Sequence, residues 1–340
     1  MDSGQDEDIF LQNLLKCGSF ESMDIEQKIL LGVDGSESAM QAVTAAGALM
    51  QYKNSSKITL FYGAPDPHLS SLTKLLRLTP AAVEEYRKIL TLQEHKVLEL
   101  AEKVLLDMGF EAERVTIRGE GKCHDPASRM LQLATSEGFE VIALARSSSP
   151  RLKRVLMGSV TSRLIHLADE KAVWVIDPPI ASLNVLVALV GAPISRRAME
   201  HVIRYFAHLK ESRFTFFHVV PPLPPQYWDN TRILTEQERK EVEVQIARWT
   251  KEYADRVREI ADEGKERLLK AGVHEENVTF KAQAVDIGMA RDILAELVRG
   301  NYGILVVGRK GSRETSLFRL GSKTNKLLDN AQDCMICLVN

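Results

Sequence analysis

The stretch Ile304-Leu305-Val306-Val307-Gly308-Arg309-Lys310-Gly311, with Gly321-Ser322 following after nine residues, decides how this chain folds. Its apolar run reads as a buried strand, and Lys323 to Asp329 reads as a helix. Glycines at such a junction let the backbone approach a ligand closely and adopt positive φ. A helix beginning at Ser322 aims unpaired N–H groups and its positive dipole end at the same loop, which suits phosphate. Arg309, Lys310, Arg319 and Lys323 add positive charge around it. This is not a Walker A loop, because no G-K-[ST] stands at the required spacing.

Outward from that loop, the chain repeats itself. Lys28 to Val33 is an apolar strand followed by Asp34-Gly35-Ser36 and an amphipathic stretch from Ser38 to Met50; Asn184 to Leu189 is its counterpart, followed by Val190-Gly191-Ala192 and a helix from about Ser195 to Leu209. Strands at Lys57 to Tyr62 and Arg213 to Val219 come next, then long charged helices at Ala81 to Met108 and Glu236 to Ala271. Short strands at Arg114 to Arg118 and Val278 to Ala282 precede helices at Pro126 to Ser136 and Met289 to Arg299. Each copy closes with strand, loop, helix and strand, Val141 through Ile176 and Ile304 through Val339. Gly35 and Gly191 stand 156 residues apart and Gly158 and Gly321 stand 163 apart, so the repeat is a whole domain rather than a solenoid unit. Continuously apolar strands alternating with helices predict an α/β fold of two tandem doubly wound domains, with parallel sheets covered on both faces. The predicted units are a 1–26 extension and domains at 27–178 and 183–340, joined at Asp177-Pro178-Pro179. Ligands in such sheets bind beyond the C-terminal strand ends, where Asp34 and both loops would lie.

On these residues the two copies resemble universal stress protein domains, and together a tandem member of that family. The likeness covers about Gln27 to Asn340; it rests on G-x2-G-x9-G-[S/T], matched by Gly308, Gly311, Gly321 and Ser322, and on V-D-G-S, matched by Val33 to Ser36. The resemblance implies five-stranded parallel sheets paired through their last strands as an internal pseudo-dimer. It also implies ATP binding, with Mg2+ as an accompanying ion, in members that keep the loop.

Neither copy is complete. The first has Asp34, Gly35 and the closing Gly158-Ser159, but Ala145 and Ser148 stand where the family has glycines. The second has the whole loop but Val190 in place of the aspartate. In the resemblance the carboxylate lies near the nucleoside, while loop amides and the Ser hydroxyl hold ribose and phosphates. Charge-assisted bonds to phosphate are the stronger ones, so the second copy keeps the more valuable half. Its expected nucleotide residues are Val190, Gly191, Val219, Ala282, Gly308, Arg309, Gly311, Gly321, Ser322, Lys323 and Thr324. Asp34, Gly35, Ser148, Gly158 and Ser159 form a weaker first-domain set beside a loop read chiefly as solvated.

Composition narrows the rest. A chain of 340 residues with 45% hydrophobic content fills two cores, and a net charge of −2 without a basic aromatic stripe argues against nucleic acid. No apolar run reaches a membrane span and the start is acidic, so a soluble cytoplasmic protein is expected. Cys334 and Cys337 have redox spacing but sit in a strand-like run where positions three apart face opposite sides; buried core thiols are the plainer reading. Cys123-His124-Asp125 lacks a second cluster to complete a metal site. No nucleophile and base converge on the loop, and His218 reads as a core or edge histidine, so a regulatory nucleotide-binding module with an unknown protein partner leads. The alternatives are a nucleotide-independent scaffold and a slow ATPase or phosphotransferase, with a further homodimer left open. Val97, Leu98, Ala101, Val104 and Leu105 form a sheet-facing stripe. The extension, with its apolar cluster Ile9 to Leu15, is read either as a docking helix or as disordered, and the loops 65–80 and 221–235 as lids or contacts to a second chain.

Overall fold

A computed structural model describes residues 27–50, 55–65, 79–123, 125–146, 158–190, 192–222, 235–309 and 322–340. The extension, its apolar cluster and most of both long loops lie outside them. The first half contributes β1 (Gln27–Gly32), α1 (Glu37–Met50), β2 (Ser56–Pro65), α2 (Pro80–Asp107), β3 (Val115–Cys123), α3 (Pro126–Ser136), β4 (Val141–Ala145), α4 (Ser159–Leu167) and β5 (Ala172–Ile176). The second contributes β6 (Val185–Leu189), α5 (Ala192–Phe206), β7 (Phe214–Val220), α6 (Glu236–Lys270), β8 (Val278–Ala284), α7 (Met289–Arg299), β9 (Ile304–Gly308), α8 (Ser322–Asn330) and β10 (Met335–Val339).

All ten strands form one sheet in the order β3-β2-β1-β4-β5-β10-β9-β6-β7-β8. Within each half every pairing is parallel, as continuously apolar strands require when both faces are covered. The halves meet where β5 and β10 run antiparallel, with Val173 opposite Leu338 and Ile176 opposite Met335. One apolar layer, including Ile29, Leu98, Val187 and Ile260, lies beneath α1, α2, α5 and α6. The other, including Leu30, Met130, Leu186 and Leu327, lies beneath α3, α4, α7 and α8. Each layer runs unbroken through both halves.

The seam has its own chemistry. Trp174 of β5 is wholly buried, with Tyr205 edge-on at 5.5 Å and Phe206 tilted at 5.5 Å. Its indole N–H donates to His201 Nε2 at 2.9 Å. Burial pulls the His201 pKa down to about 3, so the ring is neutral and accepts that bond. Tyr205 donates to Glu140 at 3.0 Å and Arg204 pairs with the same carboxylate at 2.7 Å, both reaching from the second half to the first.

Several boundaries differ from expectation, among them the start of α5 and the end of β3. α5 starts at Ala192, three residues early, because Pro193 falls in the first turn, where its missing N–H costs nothing. β3 continues past Arg118 to Cys123, through Gly119 and Gly121. A Cβ on Gly119 would meet Glu94 Oε1 at 1.7 Å, so that glycine makes room for a carboxylate of α2 rather than ending the strand. Cys334 and Cys337 are buried in opposite apolar layers, and burial pushes the Cys334 thiol up to about 12.

Candidate functional site

In the first half, the chain turns over at the C-terminal end of β1. Asp34 Oδ1 accepts from the Ser36 amide at 2.9 Å, and Gly35 takes φ +80°, a conformation that favours glycine. Ser36 Oγ then accepts from the Ala39 amide at 3.2 Å and caps α1. Opposite stands the start of α4, where Gly158 supplies no side-chain cap to the first amides. Between them is a cleft of about 230 Å³. Phe61, Met130 and Leu144 give it apolar walls, while Asp34, Ser38, Ser159 and Thr161 bring polar groups to its rim. The strand order places it at the topological switch between β1 and β4, where open α/β sheets bind ligands. Tyr62, on the other face of β2, has its phenol pushed up first by burial, then by Glu94 and Asp34.

The second half repeats the switch point between β6 and β9. Here the Val190 amide donates to the buried Ser195 Oγ at 3.0 Å. Gly308 packs so closely on α5 that a Cβ would meet Ile194 Cγ2 at 2.1 Å and the Ile194 carbonyl oxygen at 3.0 Å. Thr324, in the first turn of α8, is buried. Gly191, Gly311 and Gly321, like Ser148 in the first half, lie outside the described residues, as do the side chains of Ser322 and Lys323.

The sequence model of the universal stress protein family matches residues 26–176 and again residues 182–338. The chain belongs to that family. Universal stress protein YxiE of Bacillus subtilis is 27% identical over 142 residues, which are 42% of this chain and 93% of that one. A universal stress protein structure from Archaeoglobus fulgidus covers 93% of this chain and 98% of its own at TM-score 0.60 and 15% identity. A putative universal stress protein from Pseudomonas aeruginosa covers 93% and 94% at TM-score 0.56 and 12% identity. At these identities the two structures are evidence for fold alone.

Within this tandem universal stress protein, two expected site residues are placed elsewhere. Arg309 is buried, and its guanidinium reaches into the seam, donating to the Ile165 carbonyl at 2.6 Å and to Lys171 O at 3.3 Å. Burial lowers its pKa to about 10, still a cation at neutral pH. Ala282 pairs with His218, whose neighbours Phe217 and Val219 face the opposite apolar layer, so Ala282 and Val219 stand on opposite faces of the sheet. His218 is buried, with Nδ1 2.8 Å from Leu189 O, and burial lowers its pKa. The Asp286 and Ile287 amides donate to the buried Asp292 carboxylate at 2.9 and 3.1 Å. Sequence reasoning passed over Phe61, Met130 and Leu144, whose 156- and 163-residue counterparts are Phe217, Ile293 and Val307.

Among the described residues no helix is long and apolar enough to cross a membrane, and no group of three or more His, Cys, Asp or Glu is placed to hold a metal.

Proposed function

We propose that the chain is a regulatory stress-response protein of the cytoplasm that binds an adenine nucleotide, ATP with Mg2+ first, in its second half. One observation carries this reading: the complete Gly308, Gly311, Gly321, Ser322 spacing issues from β9 at the switch point beside β6 and leads into α8. The amides around Gly311 and Gly321 and the start of α8 would hold the phosphates, with the Ser322 hydroxyl and the Lys323 charge. Val190, Gly191 and Val219 would line the nucleoside side, and Thr324 supports the first turn of the helix. The closeness of Gly308 to Ile194 gives that glycine a packing reason as well.

Binding of the nucleotide would favour one arrangement of loop and helix, and a protein partner would read the altered surface. Isothermal titration of nucleotide-stripped protein with Mg-ATP tests it. Saturable binding that disappears in Gly311→Val and Gly321→Val is the expected result; no heat in the parent protein overturns it.

The first-half cleft supports a second reading, in which Asp34 and the uncapped start of α4 take the ligand. Under that reading Asp34→Ala weakens binding, while Gly311→Val leaves it intact.

A further inference from the structure

Among the arginines that cross the seam, Arg146 of the first half and Arg309 of the second occupy the same place in their repeat. Arg146 follows β4 and opens the first loop, and Arg309 follows β9 and opens the second. Their amides are anchored alike: Arg146 N donates to Ile176 O at 2.7 Å and Arg309 N to Val339 O at 2.7 Å. Their side chains cross over. Arg309 reaches the C-terminal end of α4, donating to Ile165 O and Lys171 O. Its Nε also bonds Asn340 Oδ1, and Asn340 Nδ2 donates in turn to Ala168 O at 3.1 Å and Lys171 O at 3.2 Å. Arg146 reaches the end of α8, donating to Ala331 O, and pairs with Asp177 at 3.2 Å. Both guanidiniums are buried.

Helix ends leave carbonyls without intrahelical partners and carry partial negative charge, so a buried cation from the other half is a firm clamp there. The clamped helices are the ones that follow the two loops in the chain. α4 begins at the first cleft and ends on Arg309; α8 begins after Gly321 and ends on Arg146. Thus each loop is rooted in an arginine that holds the far end of the helix serving the other loop.

We infer that Arg146 and Arg309 are positioning residues that couple the two sites, so that nucleotide held by the second loop alters α4 and the first cleft. The inference rests on nucleotide binding in the second half. A ligand that bears on the end of β9 bears on the root of the Arg309 side chain, and α4 lies at its tip. The Arg309 clamp is the fuller one: its three guanidinium nitrogens all bond, whereas Arg146 Nε and Nη2 have no partner among the described residues. Coupling should therefore be read first in α4.

Hydrogen exchange of the full-length protein with and without Mg-ATP, alongside titration, tests this. Amides of residues 159–167, which share no sequence with the second loop, are expected to change their exchange rate by about fivefold or more, the lower range of coupling between sites. In Arg309→Met, titration still reports second-site binding but the nucleotide-dependent change in 159–167 is lost. A purely structural arginine would shift exchange equally with and without nucleotide. Should Arg309→Met fail to fold, Asn340→Ala removes the bridge to Ala168 and is expected to shrink the same response. Binding in the parent with no change in 159–167 overturns the coupling while leaving nucleotide binding standing. A response that persists in a folded variant overturns it too. No binding at all defeats the reading beneath it, and the coupling with it.

Discussion

The His201 ring accepts a proton-bearing indole while shut away from water, so protonation would break the Trp174 bond and bury a charge. The unfolded chain takes up that proton near the ordinary value of 6.5, the folded chain only near 3. Below pH 6.5 the unfolded state therefore binds more protons, and stability declines as pH falls towards 3, with a limiting slope of about 1.4 kcal/mol per pH unit. His201→Gln keeps an acceptor for the indole but removes this proton. Urea unfolding between pH 6.5 and 4.5 should show a slope shallower by about one proton than the parent; an unchanged slope would exclude His201 as the source. Gly303 makes a second residue-level case, since a Cβ there would meet the backbone oxygen of Ser182 at 1.8 Å. Backbone has no rotamer with which to yield, so Gly303→Ala should destabilise by about 1–3 kcal/mol in the same assay. Arg309 marks the limit of residue-level reading from sequence. Its place beside a glycine loop suggested a phosphate ligand, but spacing along a chain does not say to which side of a sheet edge a long side chain turns.

Elements were the most legible scale, for reasons visible at their ends. α3 begins where Asp125 accepts from the Ser128 amide ahead of Pro126, and a cap of that kind is written in local sequence. α6 starts in the same way, with Thr235 and Glu238 forming a reciprocal capping box. Thr235→Ala should accordingly cost about 1 kcal/mol in chemical denaturation. β3 was under-read because Gly119 answers to α2, an element far away in sequence. The stripe on α2 gives a sharper test. Leu98 is 3% exposed and Leu100 is 54% exposed, although both are leucines two positions apart on one helix. Leu98→Ala should cost about 2–5 kcal/mol, and Leu100→Ala should stay within about 0.5 kcal/mol. Equal losses would mean that α2 sits on the sheet through a different face. The exposed row of Ile89, Leu92 and Leu100 was not distinguishable in sequence from the stripe that packs, because both recur at helical spacing.

For the molecule as a whole, duplication was legible from the repeat, and the paired arrangement came with the family resemblance. The reciprocal arginines and the Trp174–His201–Tyr205 cluster were not foreseen, since both depend on side chains from opposite halves meeting. A chain ending at residue 181 would uncover the β5 edge and the indole of Trp174, an unpaired apolar strand edge of the kind that recruits another strand. Size-exclusion chromatography with light scattering should show concentration-dependent self-association of residues 27–181. A well-behaved monomer would mean that the seam adds little to stability.

The antiparallel meeting of β5 and β10 also has a hereditary consequence. In a dimer of identical chains, every codon change arrives at both binding lips at once, and selection must accept or reject the pair. Here one polypeptide supplies both lips, so a change arrives at one only. Val190 stands opposite a retained Asp34, and Ala145 opposite a retained Gly308. A tandem chain lets its halves differ at matching positions, as they do at Asp34 and Val190 and at Ala145 and Gly308.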